Sequence, residues 1–275
     1  MLIKECMEAF RKYINEDFER VIANNTTQST KNQQMEEDGG SDPFEDLQNR
    51  SKTFKMLWDR MESNLEDTEY HDGESTAEHT RRVHAKMVQL TKDLPSAEQS
   101  LMHMLAILHD IGKPDARDET GDKVRFGKHP KLGKELAEKV LDEIAYEQKE
   151  LLLTLIARHM DILQGLNNKD VKFLAKEKVY PHIERLAMMS RADLGAIGHE
   201  KFDDIDNLVH RVHIMKGDMD KAAKEKEKKL AREKAMSPEE FVAQLKSRGL
   251  PEKAMLGAIK GKFPYLDMKQ IRELL

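Results

Sequence analysis

A helical repeat of apolar residues runs from Ser75 to Val212, and this repeat limits the fold more than any other feature of the chain. Apolar residues recur there every three or four positions, whereas strand-like alternation is confined to the short stretch KVRF at 123–126. With 275 residues and 39% hydrophobic content, such helices can bury a sizeable shared core, which we expect to include Trp58. The sequence therefore predicts an all-α helical bundle.

The composition changes along the chain and divides it into five segments. An amphipathic N-terminal helix precedes a polar segment too poor in hydrophobes to offset the entropy lost on ordering. After the main helical domain comes a stretch rich in both signs of charge, which indicates a solvated helix or a tether, and then a small helical C-terminal segment. The predicted segments are 1–23 (helix), 24–46 (disordered linker), 47–215 (main domain, with its motifs in 75–215), 216–236 (charged) and 237–275 (C-terminal).

Charge and cysteine content indicate which partners and which cellular compartment suit the protein. Charged residues make up 35% of the chain but the formal net charge is only −5, so no polyanion or membrane partner is indicated by the overall balance. The single cysteine, Cys6, excludes an intramolecular disulfide and fits a reducing compartment. The charged start MLIKECMEAF does not fit a signal peptide. We expect a soluble protein of the cytoplasm.

Polar residues that can bind metal occur on the apolar faces of several predicted helices. His79 continues the stripe formed by Val83, Met87 and Leu90, so its ring is predicted to point toward the core. Any single histidine of this kind can be satisfied by a hydrogen-bonding neighbour. The functional interpretation gains weight because the pattern is repeated on other helices.

Three more helices repeat the arrangement of His79. His109 and Asp110 end the most apolar stretch, LAILHDIGKP, while His159 and Asp193 each continue an apolar face. His129 adds a donor at the start of a further helix. Because unpaired polar groups are costly to bury, imidazoles and carboxylates that converge from separate helices are what a divalent cation site in a helical protein needs.

The order of these residues resembles the signature of the HD-domain superfamily of metal-dependent phosphohydrolases, over about residues 75 to 215. HDIGKP is close to the family's typical string, and the surrounding donors stand at suitable separations. The resemblance implies one metal held by the first histidine, the HD pair and the last aspartate, and a second metal that Asp110 bridges. The implied ligands are His79, His109, Asp110 and Asp193 for the first ion and Asp110, His129 and His159 for the second.

The chemistry implied by this resemblance is attack of metal-activated water on phosphorus. The expected cofactors are two divalent transition-metal ions, Fe, Mn, Ni or Co, with Mg as a further candidate. We expect Asp110 and Lys113 to be catalytic and Lys113 and Arg191 to bind the substrate phosphate. Two simpler interpretations stay open: Lys113 meets the helix dipole, and Arg191 faces solvent. The expected substrate is a phosphorylated small molecule or a nucleic-acid end.

Within the superfamily, HDIGKP and HPKLGKEL resemble the HD domain of bacterial tRNA nucleotidyltransferases, which acts on 2′,3′-cyclic phosphates. The nucleotidyltransferase head has no counterpart upstream in this chain. The Gly-Tyr-Pro string of the HD-type cyclic-dinucleotide phosphodiesterases is replaced by ARHMDILQGLNN.

Two other functions remain as alternatives at this stage. One is a non-catalytic HD scaffold whose metal is structural. The other is a nucleic-acid-binding module that makes a weak contact through residues 216–275, where Lys260, Lys262, Phe263 and Tyr265 form a basic and aromatic group.

Overall fold

The computed structural model describes residues 42–68, 71–120, 124–167, 171–199 and 202–275. This part of the chain is dominated by helices, which confirms the all-α prediction. None of the helices in the described ranges combines the length and apolarity needed to cross a lipid bilayer. The predicted N-terminal helix and the first part of the predicted linker lie outside the described residues.

The described residues divide into two compact units, with the boundary between Ile214 and Met215. The elements described in the first unit are α1 (Pro43–Arg50), α2 (Lys52–Ser63), β1 (Leu65–Thr68), β2 (His71–Ser75), α3 (Thr76–Thr91), α4 (Ser96–Leu108), α5 (Lys113–Ala116), α6 (His129–Glu143), α7 (Lys149–Arg158), α8 (Asp161–Asn167), a 3-10 turn (Tyr180–His182) and α9 (Ile183–Ala196). A long helix, α10 (Asp203–Ala235), begins in the first unit and continues into the second, which also contains α11 (Pro238–Ser247), α12 (Glu252–Lys262) and α13 (Met268–Leu274).

The first described helix corrects the end of the predicted linker. Residues 43–46 were assigned to disorder, but α1 begins at Pro43. The Asp42 side chain caps this helix by accepting a hydrogen bond from the Phe44 backbone N–H, and the side chains of Phe44 and Leu47 are buried. Two buried apolar residues next to a good helix cap are enough to order this short segment. Two apolar residues are easily overlooked in a polar sequence.

The core of the first unit forms where α3 packs against α4 and α9, and where α6 packs against α7. His79, Val83 and Met87 are buried on α3 as predicted, but Leu90 is 39% exposed. The buried stripe ends instead at Thr91, whose hydroxyl donates to the Met87 carbonyl. Positions three and four residues along a helix are both neighbours of the starting position, and the sequence alone does not say which one faces the core. Trp58 is buried as expected.

A small antiparallel hairpin of β1 and β2 precedes α3 and was not predicted. It pairs Leu65 with Ser75 and contains an irregularity in register, so its sequence lacks the regular alternation of a half-buried strand. The Ser75 side chain then caps α3 in a capping box with Glu78. The hairpin thereby joins the start of α3, one turn before His79, to the end of α2.

The second unit has a small core of its own, built from α11, α12 and α13. Phe263, one of the predicted basic and aromatic residues, belongs to this core. Lys260 donates to the carbonyls of Pro264 and Leu266, and the Lys262 ammonium lies 4.6 Å from the Phe241 ring centroid. Tyr265 remains 72% exposed. Its ring also packs edge-on against Phe263, with the ring centroids 6.0 Å apart, so all four side chains proposed for nucleic-acid contact have structural contacts within this unit.

A close backbone contact fixes the HDIGKP segment against α6. A methyl group on Gly112 would lie 2.4 Å from both the Gly133 nitrogen and the His129 carbonyl oxygen. A Cβ atom cannot be accommodated at that distance unless the backbone moves. The contact holds the turn after Asp110 next to the helix that begins at His129.

Replacement of this glycine tests the contact. We expect Gly112→Ala to lower the free energy of unfolding by about 1–3 kcal/mol, because the added methyl group collides with backbone rather than with a flexible side chain. Thermal and urea denaturation of the purified protein measure the change. The control is Gly127→Ala, where an added Cβ meets no atom within 4 Å and the effect should stay within about 0.5 kcal/mol. Equal losses in the two variants would contradict the packing argument.

Candidate metal centre

The structure brings together all six residues predicted as metal ligands. Their donor atoms form two groups, and within each group the atoms lie within 4.8 Å of one another. Among the described residues, the groups are His79, His109 and Asp193, and Asp110, His129 and His159.

Five helices supply these side chains, and each side chain lies at a helix end or within about one turn of it. His109 and Asp110 follow directly after α4, His129 is the first residue of α6, and His159 follows directly after α7. His79 and Asp193 come from α3 and α9, which pack closely together. Helix ends allow several side chains to reach one point without the helix axes crossing there.

Asp110 lies between the two groups and turns one carboxylate oxygen toward each of them. Its Oδ2 atom is 3.0 Å from His109 Nε2 and 3.9 Å from His79 Nε2. Its Oδ1 atom is 3.2 Å from His129 Nε2 and 3.7 Å from His159 Nε2. This is the arrangement that a carboxylate needs in order to bridge two cations.

Three of the histidines are oriented by the same backbone contact. The Nδ1 atoms of His109, His129 and His159 lie 2.9, 2.6 and 2.7 Å from the carbonyl oxygen three residues earlier. A carbonyl can only accept, so each Nδ1 carries a proton, and in the neutral ring Nε2 presents its lone pair to the centre. Metal-binding histidines are commonly fixed in this way.

The lone pairs of these histidines create a site that requires a cation. His129 Nε2 and His159 Nε2 are 2.9 Å apart, and two lone pairs at that distance repel unless a proton or a metal ion lies between them. Burial, together with the neighbouring His129 and His109, lowers the pKa of His159 to about 3, so its ring is neutral near pH 7. His109 Nε2 is also buried and lies 3.0 Å from Asp110 Oδ2, where a proton or a metal ion is likewise needed between the two atoms. The donor set therefore fits divalent metal ions.

Electrostatics favour positive charge at the same place. Burial lowers the pKa of His109, but the charge of Asp110 outweighs this effect and the net pKa is raised. Burial likewise acts to raise the pKa of Asp110, yet the charges of His109 and Lys113 hold it well below its usual range. Asp110 is therefore ionised, and the surrounding groups stabilise a cation beside it.

Asp193 is the most exposed of the six ligand-type side chains. Its side chain is 20% exposed, compared with 1% for His79 and 3% for Asp110. His79 Nε2 lies 2.9 Å from Asp193 Oδ1, and this hydrogen bond and the His79 charge hold the pKa of Asp193 low against the opposing effect of burial. Solvent therefore reaches the centre from the side of Asp193.

Lys113 is held by a residue that the sequence analysis missed. Its ammonium lies 2.8 Å from Asp110 Oδ2 and 2.8 and 3.0 Å from the two oxygens of Glu66, which is 1% exposed. The Thr76 hydroxyl also donates to Glu66, at 2.7 Å. Burial acts to lower the pKa of Lys113, but the charges of Asp110 and Glu66 outweigh this effect and the net pKa is raised. The lysine is therefore charged. A lone glutamate in the irregular strand β1 gave no pattern from which this role could be inferred.

Two further charged residues surround the centre. Arg191 is paired with Asp206 of α10, which gives its guanidinium a partner outside the group of ligands. Arg191 is two residues before Asp193 on α9, and that spacing places the two side chains on different faces of the helix.

Glu74 lies near His79, with its Oε1 3.8 Å from His79 Nδ1, and is also paired with Arg82. It supplies a carboxylate behind the histidine, as is common around metal ligands.

The fold and the site together define a helical protein with a buried cluster of histidine and aspartate that fits divalent metal. The family model described as the HD domain matches residues 76–245, which is more than half of the chain. The protein therefore belongs to the HD-domain family, whose members are generally metal-dependent hydrolases. A comparison with curated proteins gave no match.

The buried pair of Lys113 and Glu66 can be tested through stability. We expect Glu66→Ala to lower the free energy of unfolding by about 3 kcal/mol, because it removes one carboxylate from a buried ammonium. Glu66→Gln keeps an acceptor and should lose less. The control is Glu119→Ala, which removes one exposed partner of Arg117 and should change the free energy by less than about 1 kcal/mol. Urea denaturation of the metal-loaded proteins measures all three; similar stabilities for Glu66→Ala and the control would contradict the assignment.

Proposed function

We propose that this protein is a metal-dependent phosphohydrolase that cleaves a phosphomonoester or phosphodiester by metal-activated water. The substrate we propose is a nucleotide or a nucleic-acid end. The observation that carries the proposal is the position of Asp110, whose two oxygens face separate groups of ligand-type side chains. A structural ion in a scaffold needs one closed set of ligands, whereas two adjacent sets that share a carboxylate suit chemistry on a phosphate.

We propose two divalent ions as cofactors. Four imidazoles and two carboxylates form a mixed nitrogen and oxygen donor set, which suits Fe, Mn, Ni or Co better than Mg, an ion that prefers oxygen. Two dications would exceed the negative charge of Asp110 and Asp193, so the centre would attract an anionic phosphate. His79, His109, Asp110 and Asp193 would hold the first ion, and Asp110, His129 and His159 the second.

The chain's own residues contribute orientation and charge to this chemistry. A bound divalent ion lowers the pKa of its water to about 7 and polarises phosphoryl oxygens. Asp110 is ionised and fixed by Lys113, so it can accept a hydrogen bond from the attacking water and set its direction. Because the ammonium of Lys113 already faces two carboxylates, we propose that it assists by stabilising charge beside the phosphate and by holding Asp110. The Arg191 guanidinium contacts Asp206 through one nitrogen, so its other N–H groups stay available to a phosphate that reaches this side of α9.

The opening next to Asp193 is the route we propose for the substrate. Among the described residues, the other five ligand-type side chains are almost completely buried, so Asp193 marks the side of the centre that a phosphate could approach. The resemblance of HDIGKP and HPKLGKEL to the HD domain of tRNA nucleotidyltransferases makes 2′,3′-cyclic phosphates a first choice in a screen. Phosphomonoesters of nucleotides and of oligonucleotide ends complete the panel, each assayed with Mn²⁺, Ni²⁺, Co²⁺ and Mg²⁺.

Substitution of the central aspartate tests catalysis. We expect Asp110→Asn to reduce phosphoester hydrolysis at least about tenfold, since even the hydrogen-bond partners of metal ligands typically contribute 10- to 100-fold. Helix content by circular dichroism should be nearly unchanged. Asp142→Asn makes the same chemical change at a side chain that is 63% exposed and should retain full activity. An Asp110→Asn protein with more than about a tenth of wild-type turnover would rule out the proposed role.

Elemental analysis tests the number of ions. We expect close to two metal ions per chain in the wild-type protein, and one after the double change His129→Ala and His159→Ala, because only the second ligand group is removed. Activity should fall much more than stability. The control is the double change His199→Ala and His210→Ala, which alters two exposed histidines and should leave the count at two. A count of one ion in both wild type and the His129 and His159 variant would limit the centre to a single metal.

A further inference from the structure

A separate cleft lies on the outer side of the two helices that supply His129 and His159. It has a volume of about 360 Å³ and is lined by Lys134 of α6, by Thr154, Ala157 and Arg158 of α7, and by Lys178 of the segment that follows α8. This volume is in the lower part of the range seen for small-molecule sites. Three of the five lining side chains are cationic and none is acidic.

The charges of this cleft are poorly compensated by the protein itself. In the part of the chain that the structure describes, Lys134 and Lys178 form no ion pair and no side-chain hydrogen bond. Arg158 donates to Asp161 through one nitrogen, at 3.1 Å, and this leaves other N–H groups of the guanidinium available. Three cations around one concave surface stand out in a chain whose net charge is −5. An anion bound there would relieve their mutual repulsion.

The position of the cleft connects it to the metal centre without making it part of that centre. Arg158 is the residue before His159, and Lys134 follows Gly133, the residue that packs against Gly112. On α6, the Lys134 side chain lies about 140° around the helix axis from that of His129. On α7, the Thr154 side chain lies about 140° around the axis from the direction of His159, which follows the helix. The cleft and the ligands therefore use different faces of the same two helices.

We propose that this cleft binds a ligand with several phosphate groups, held by Lys134, Arg158 and Lys178. Ammonium groups act as point charges toward phosphate, while the guanidinium donates two directed hydrogen bonds and the Thr154 hydroxyl offers another polar contact. Such a ligand is either a free nucleotide with a polyphosphate chain or the backbone of a single-stranded nucleic acid. The proposal concerns binding, and it does not depend on the hydrolytic activity of the metal centre.

The experiment compares two double variants of the metal-loaded protein that carry the same change in charge. Lys134→Ala with Lys178→Ala removes two cleft cations, whereas Lys139→Ala with Lys176→Ala removes two exposed lysines that do not line the cleft. Calorimetric titrations use a methylene-bridged nucleoside triphosphate analogue with excess Mg²⁺ and, separately, a short phosphorothioate oligothymidylate, both chosen to resist hydrolysis. Because the metal centre is the same in all proteins, any difference between the variants reports on the cleft.

We expect the cleft variant to bind at least one of the two ligands about tenfold more weakly or worse, while the control variant stays close to wild type. A loss confined to the nucleotide analogue assigns the cleft to free nucleotides. A loss that includes the oligonucleotide, with a salt slope smaller by about 1.4 for two lost contacts, assigns it to a nucleic-acid strand. Equal affinity in all three proteins, or equal loss of affinity in both variants, would overturn the proposal. A fall in the hydrolysis of a small aryl phosphate by the cleft variant would also overturn it, because the metal centre would then have changed.

Discussion

The buried carboxylate of Asp110 is the constraint on which the rest of this structure depends. A lone ionised carboxylate in an apolar core is strongly unfavourable, so it must be surrounded by positive charge or strong donors. Here it is surrounded by four imidazoles and by the ammonium of Lys113. Each of these neighbours needs a helix end or an inward helix face to reach it. The bundle can therefore be understood as a scaffold that brings five helices to one charged point.

The groups around Asp110 are supported by a second layer of contacts. Backbone carbonyls fix the histidine rings, and Glu66 pairs with Lys113 in addition to Asp110. The contact between Gly112 and Gly133 keeps the HDIGKP turn next to α6. These contacts turn the Nε2 atoms toward the centre and hold them close together, which is favourable once cations are bound and unfavourable without them. Metal binding and folding stability are thus expected to be linked.

The same two helices that supply His129 and His159 to the centre also form the basic cleft on their outer side. A helix has several faces, so α6 and α7 can serve the core with one and solvent with another. A phosphate-rich ligand bound there would contact Arg158, the residue before His159, while the centre itself is formed by different side chains.

The sequence by itself determined the helical class and the six ligand-type residues, because helical periodicity and the spacing of histidine and aspartate are local properties that survive without tertiary information. The sequence did not predict the β1 and β2 hairpin, the helical start at Pro43 or the exposure of Leu90. The local sequence patterns there are weak, and tertiary packing decides which of their side chains are buried. Glu66 and the cleft of Lys134, Arg158 and Lys178 were decided by tertiary structure alone. Their partners are distant in the chain, and contacts between distant residues arise only when the helices pack.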